Sequence, residues 1–380
     1  MTIFTRLRRA LVIGVCYLAL VGVPGCASRG VFDGSVATRR PTDHRVLVTA
    51  DAAYLESELN RVAADGFRLH AVHSTLVPDR QRAISMANVT VARNAAPGRF
   101  SYRVVARSWP AAPFTTDDDE IDRFASALTE VLHGPVRVAT EEGFHYPGQA
   151  MVLTGEADLE GDGAVVVFDG VMVVLERDSE LSKPRVGETA LSTVRVLATR
   201  RASTMEREIN EAAEAGCRLQ AVESTFSEAL AFLECDEGRR HLDYRVFLGN
   251  VVRPRVRRFD LLDIETNAEE TAQALNAAAS DGFVYRAHAA SPSGGVLAGR
   301  FLNVTDFMVF LERDREAPDN DMSVRHLVFG ADPGALALEH ALAEASTFGY
   351  TVLGIASGHV LGIGDAGASV ILAAPSRADN

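Results

Sequence analysis

Three sets of residues in this chain have the types and spacing to do chemistry: Cys217 and Cys235, the acids Asp158, Glu160, Asp162 and Asp169, and the glycines Gly362, Gly364 and Gly367. The acids alternate as Asp158-x-Glu160-x-Asp162-Gly163, with Asp169 at position twelve, so oxygen ligands could wrap a hard cation such as calcium. Glu160 is long for the third position, and the flanking Met151-Val152-Leu153 and Val165-Val166-Val167 read as strands, so a polar hairpin turn competes with the metal reading. The glycines spell a dinucleotide fingerprint, but that chemistry needs a helix after the loop to present its amides to a pyrophosphate. Here Ala368-Ser369-Val370-Ile371-Leu372 follows, a strand, and a hairpin turn is the reading instead; no organic cofactor is expected. His70 and His73 stand three apart on an expected strand, face opposite sides and cannot chelate one ion together. No Gly-x-Ser-x-Gly elbow, His-Glu-x-x-His pair or Cys-x-x-Cys occurs, so no catalytic residue is assigned.

The elements that must position these residues form a unit repeated five times. Arg45-Val46-Leu47, Leu59-Asn60, Gly66-Phe67-Arg68-Leu69 and Ser74-Thr75 return 150 residues later as Arg195-Val196-Leu197, Ile209-Asn210, Gly216-Cys217-Arg218-Leu219 and Ser224-Thr225. Further copies carry Leu275-Asn276 with Asp281-Gly282-Phe283, and Leu342 with Phe348-Gly349-Tyr350; the most diverged begins at Tyr102 with a helical stretch from Asp119 to His133. Endings match as well, in Leu175-Glu176-Arg177-Asp178, Leu311-Glu312-Arg313-Asp314 and Leu233-Glu234-Cys235-Asp236. Each copy opens with an alternating strand, continues into an amphipathic helix with an i, i+4, i+7 stripe such as Leu55, Leu59 and Val62, and exits through a glycine suited to the left-handed position. Two further strands follow. The fold class is therefore α+β: five tandem βαββ units, each a three-stranded, mainly antiparallel sheet with one helix, packed in pairs so that the uncovered sheet face is buried.

In that unit the start of the second strand lies opposite the end of the third. Cys217 and Cys235 fall at those two places in one copy, where other copies have Phe67 or Phe283 and Arg177 or Arg313, so a cross-strand disulfide is within reach. Two buried free thiols are the alternative. Asn60, Asn210 and Asn276 recur inside helices, where asparagine is a poor former, which points to a side-chain hydrogen bond with neighbouring backbone. The Glu-Arg pairs at 176–177 and 312–313 are expected as strand-edge charges that oppose aggregation. The second-to-third strand connections of copies two and four, 141–170 and 291–306, are the longest and the place to look for specificity.

Helix with Leu-Asn, then Asp-Gly-Phe-Arg-Leu opening a strand, then a strand ending in Leu-Glu-Arg: over about 50 residues per copy this resembles a small bacterial βαββ domain of unassigned function, whose usual helix exit is Gly-Trp-x-Leu. Here Phe, Cys or Tyr stands where tryptophan is typical. The resemblance implies a fold and no chemistry.

The first residues are of another kind. Arg6, Arg8 and Arg9 precede an apolar run from Ala10 to Val23, which is shorter than the ~20 residues of a membrane-spanning helix and suits a signal peptide. The run ends in Val23-Pro24-Gly25-Cys26-Ala27-Ser28, which resembles the lipobox of bacterial lipoproteins, with Pro24 a departure from it. That resemblance implies removal of 1–25, lipidation of Cys26 and a membrane tether at 26–42, with Ala27 pointing to the periplasmic face of the outer membrane. Repeats one and two then occupy 43–180, three and four 192–316, and the fifth 323–376. The formal charge of −13 becomes −16 once the three leader arginines are removed, which argues against nucleic acid or anionic headgroups as partners. The expectation is a lipid-anchored, non-catalytic binding or scaffold protein with a protein partner in the cell envelope. A small-ligand or calcium sensor is the alternative, and an enzyme with an unfamiliar site comes last.

Overall fold

The computed structural model describes residues 44–374 apart from the connecting segments 80–81, 109–117, 148–150, 159–165, 181–192, 226–227, 236–240, 253–265, 291–303, 317–324, 332–334 and 361–363. The leader, Cys26 and the tether lie outside the described residues, as do most of the two polar stretches between repeat groups. Five βαββ units follow one another. The first is β1 (His44–Thr49), α1 (Ala52–Ala64), β2 (Phe67–Asp79) and β3 (Arg82–Arg93). The second is β4 (Phe100–Ser108), α2 (Asp118–Glu141), β5 (Met151–Asp158) and β6 (Val166–Asp178). The third is β7 (Thr193–Thr199), α3 (Ala202–Glu214), β8 (Cys217–Ser224) and β9 (Ala229–Cys235). The fourth is β10 (Leu242–Val252), α4 (Thr266–Ser280), β11 (Val284–Ala290) and β12 (Val304–Asp314). The fifth is β13 (His326–Ala331), α5 (Ala335–Thr347), β14 (Thr351–Val360) and β15 (Gly364–Ala373).

In every unit the third strand lies between the other two and is antiparallel to both. The first two sheets also join into one of six strands, because Arg82–Ser85 of β3 pairs with Gly155–Asp158 of β5. Local signals account for the elements. Asp51 caps α1, its Oδ1 accepting from the amides of Ala53 at 2.9 Å and Tyr54 at 3.1 Å. Leu55, Leu59 and Val62 then bury completely, each stabilising the fold by about 1.5–3 kcal/mol. All five helices exit through a glycine with positive φ: Gly66, Gly143, Gly216, Gly282 and Gly349. At Gly66 a Cβ would also stand 2.8 Å from the Ala95 carbonyl oxygen, so a side chain is excluded by space as well as by conformation.

One helix runs past its expected end. α2 continues through Pro135 to Glu141, beyond His133, because Leu132, Val136 and Ala139 prolong the buried stripe. Burial of that face outweighs the amide lost at Pro135. The 141–170 stretch is likewise not one long connection, since it contains the helix exit and all of β5; only 159–165 separates β5 from β6.

The expected packing into pairs takes a cyclic form. α1 is sandwiched between its own sheet and that of the second repeat. α2 lies likewise between the second and third sheets, α3 between the third and fourth, and α4 between the fourth and fifth. α5 then packs against β1, and β14 against β2, so the fifth repeat meets the first and the ring closes. Each sheet thereby has one face on its own helix and the other on the helix before it, which removes the uncovered face a lone βαββ unit would have. The second strands β2, β5, β8, β11 and β14 touch in that order around the axis.

Candidate functional site: the ring axis and its junctions

Register fixes which residues share a level at the axis. His73, Val152, Glu223, Ala289 and Ala356 pair with Asn88, Met172, Leu230, Met308 and Ser369, the matching positions of the five central strands. Four of these five line a small cavity with Ser74, Ser224 and Ala290. Glu223 is the ionisable group at its heart. Its carboxylate accepts from Ser74 Oγ at 3.2 Å, across the axis, and from the amides of Ser74 and Ser224. Burial outweighs these bonds and pushes its pKa up to about 8, so the group is mostly protonated at neutral pH. Serine, histidine and carboxylate are the residue types of acyl transfer, but the cavity is too tight to seat a water-sized sphere, let alone a reacting carbonyl.

The junctions are where most polar chemistry is spent. Asn60 donates Nδ2 to the Tyr102 carbonyl at 2.9 Å and accepts the Tyr102 amide at 2.9 Å, satisfying the edge of β4. Asn210 does the same for Tyr244 of β10, and Asn276 accepts the His326 amide of β13 at 2.7 Å. The recurring asparagines are thus structural, as their poor helix propensity suggested. One turn earlier on the helices, Glu56, Thr129, Glu206 and Glu339 accept from the amides of Val104, Val196, Val246 and Val46. The last of these joins α5 to β1 across the ring closure.

Two junctions carry more. Arg68 of the first repeat forks onto Glu176 of the second, with Nη2 to Oε1 at 2.8 Å. Tyr102 donates to the same carboxylate at 2.9 Å and accepts the Leu69 amide at 2.8 Å. Arg218, Glu312, Tyr244 and Leu219 repeat the arrangement between the third and fourth repeats. Burial first, then the adjacent carboxylate, raises the pKa of both tyrosines, so they stay protonated donors. The reading of Glu176 and Glu312 as strand-edge charges is therefore corrected. They lie on central strands, Glu176 is wholly buried, and they clasp the preceding repeat. A Glu-Arg pair in a strand carries no local mark of the arginine that will reach the glutamate from another repeat.

The partner arginines of those pairs serve elsewhere. Phe67, Phe144 and Phe283, the aromatic residues at the helix exits, are each faced by two guanidinium groups, from the first and third strands. Arg45 and Arg93 lie 4.4 and 4.7 Å from the Phe67 centroid, and Arg103 and Arg177 lie 4.8 and 4.9 Å from that of Phe144. Arg245 and Arg313 lie 4.4 and 4.6 Å from that of Phe283. In the third repeat the same place holds Cys217 and Cys235, in direct register across β8 and β9 and joined as a disulfide. The disulfide replaces the stack. No fixed spacing from the phenylalanine marks the flanking arginines in the sequence; what recurs is their place in the repeat, each following the residue of the first or third strand that meets the helix before it.

Of the four proposed calcium ligands, Glu160 and Asp162 lie outside the described residues. Asp158 ends β5 and Asp169 is exposed on β6, where the register shifts. The flanks are antiparallel strands, Ala157 opposite Val166. Among the described residues no group of three or more His, Cys, Asp or Glu could hold a metal ion. The glycine motif leads into β15, a strand. His70 is itself the residue skipped at the β-bulge of β2, which breaks simple alternation: it reaches the Val352 carbonyl in the fifth repeat, and His73 lines the axial cavity.

No family model, curated protein or solved structure matches this chain. Among the described residues no helix is long and apolar enough to cross a membrane.

Proposed function

We propose that this chain is a lipid-anchored scaffold of the cell envelope, tethered through Cys26, whose ring presents partner-binding connections on one rim. The direction of the chain within the ring carries this reading. First and second strands of every repeat run the same way, antiparallel to the third. Strand-to-helix and second-to-third-strand connections therefore all leave from one end of the sheets. The chain enters β1 at His44 and leaves β15 at Ala373 from the other end, as the pairing of His326 with Ala373 marks. The described chain therefore begins at the end opposite the connecting rim, which leaves those connections open to a partner. On that rim the fourth repeat has the longest segments between its elements, 253–265 and 291–303. The polar groups that might have formed a catalytic set are instead engaged in holding repeats together, which favours binding over turnover.

The test is crosslinking in intact cells with a C-terminal tag, comparing the natural chain, a Cys26→Ser variant and a chain with 292–302 replaced by a short glycine-serine turn. Supporting results are palmitate labelling that depends on Cys26, and a reproducible protein partner lost in both variants while the loop variant keeps its fold and location. A chain that takes no lipid label, or that crosslinks to nothing while binding a metabolite or metal when purified, overturns the reading.

A further inference from the structure

The fifth repeat differs from the others in what its junctions are made of. At the first-strand position that the helix before it meets, the clasped junctions have Tyr102 and Tyr244. Register places His44 and His326 there at the two junctions of the fifth repeat: each pairs with Ala92 or Ala373, as Tyr102 and Tyr244 pair with Glu176 and Glu312. Alanine thus stands where the clasping glutamates are, and the arginine positions of Arg68 and Arg218 become Val284 and Thr351. What crosses these junctions instead is imidazole. His44 Nδ1 lies 3.3 Å from Ser346 Oγ of α5, and His70 Nε2 contacts the Val352 carbonyl of β14. His326 Nδ1 lies 3.1 Å from Asn276 Oδ1 of α4. His44 and His70 also meet edge to face, their centroids 6.2 Å apart.

We propose that the fifth repeat is an acid-releasable keystone: protonation of His44, His70 and His326 loosens both of its junctions and opens the ring between the fifth repeat and the first. His44 and His326 are almost fully buried. Charging them means burying cations, and His44 and His70 would become two like charges in edge contact. Burial already holds the pKa of His70 and of His326 below the ordinary imidazole value; at His70 the Val352 carbonyl opposes this and Arg68 adds to it. The sign follows. The opened form, with solvated imidazoles, takes up protons more readily than the closed ring, so closure is complete above about pH 6.5 and weakens as pH falls below it.

Other ionisable groups on the packed elements are Glu339, His340 and Glu344 on α5, Arg45 on β1, Arg68 and His73 on β2, Arg93 on β3 and Asp365 on β15; β14 brings none between 351 and 357. Around His326 they are Arg325 beside it, Glu269 and Glu270 on α4, and Asp243 and Arg245 on β10. Glu339 is engaged by the Val46 amide. Glu223 acts with the opposite sign, favouring the closed ring in acid, and is separable because it belongs to the axis rather than to these two junctions.

The experiment is hydrogen exchange on the intact folded chain between pH 7.5 and 5.0, corrected for intrinsic exchange rates. Expected is a loss of protection confined to β1, α5 and β13–β15, about tenfold per pH unit for each histidine titrated, with β7–β12 unchanged. A triple variant, His44→Gln, His70→Gln and His326→Gln, should keep the pH 7.5 protection and lose the acid response. Unchanged protection of the fifth repeat at pH 5.0 in the natural chain overturns the proposal. So does an acid loss spread evenly over all five repeats, or an acid response that persists in a folded triple variant.

Discussion

The junction between the first and second repeats and the junction that closes the ring use one backbone arrangement with very different side chains. Both pass a helix over the first strand of the next repeat and offer a glutamate, Glu56 or Glu339, to the same strand amide. The first adds Asn60 and the Arg68–Glu176–Tyr102 clasp. The closing junction has Ala343 in the asparagine's place, Thr351 in the arginine's and Ala92 in the glutamate's. The third-to-fourth junction matches the first in full. The ring is therefore two firmly coupled pairs joined by lighter contacts, with the fifth repeat completing the circle. Covering apolar sheet faces is enough to form a junction, and the buried clasps make two of the junctions intolerant of losing a partner.

Removing one side of a clasp should give the largest effect. Arg68→Ala leaves the fully buried Glu176 without its cation and is expected to cost about 3–5 kcal/mol in denaturant unfolding. Thr351→Ala, at the matching place of the closing junction, should change stability by less than about 0.5 kcal/mol. Equal losses at the two sites would erase the distinction. Next comes the disulfide. Reduction should cost about 3 kcal/mol, seen as a shift in thermal midpoint. A Cys217→Phe, Cys235→Arg chain, which restores the stack of its neighbours with Arg195, should recover part of that loss. Asn60→Ala strips two bonds from the edge of β4 and should cost about 1–3 kcal/mol.

The axis, common to all junctions, should reveal itself through pH. Glu223 has a raised folded pKa, so its contribution is fully present below the unfolded carboxylate range and is lost as pH rises toward about 8. Above about pH 6.5, where the junction histidines are neutral, the natural chain should lose roughly 1 kcal/mol of stability per pH unit up to about pH 8, and Glu223→Gln should flatten that slope. A slope unchanged in the variant would place the titrating group elsewhere. The smallest effect is expected for Arg93→Ala, about 0.5–1 kcal/mol, because it removes one of two cations from an already buried Phe67.

Much of what depends on neighbours within a repeat is readable in the sequence, the arginine pairs around Phe67, Phe144 and Phe283 excepted. The glycine exits at Gly66, Gly216, Gly282 and Gly349 and the Cys217–Cys235 bond follow from period and register, while the recurrent asparagines are legible as backbone partners but not the next repeat's strand that they reach. The clasps and the ring are not legible, because their partners lie far apart along the chain. Arg68 and Glu176 are 108 residues apart, and the contacts between His70 and Val352 and between Glu339 and Val46 span 282 and 293. Nothing local in the sequence marks such a meeting. The end of α2 is hidden for a related reason: Pro135 is a breaker by itself, and the sheet of the next repeat that keeps Val136 and Ala139 buried is not visible locally.

Ring closure also bears on how this architecture can change over generations. An open solenoid gains or loses units at its ends, provided polar caps protect the last ones. Here α5 covers β1, so among the described residues every unit is covered on both sides. Adding or deleting one repeat would change the turn required of all the others and leave a seam that no longer meets. Change that keeps such a ring closed must fall in the connections or in the chemistry of each junction.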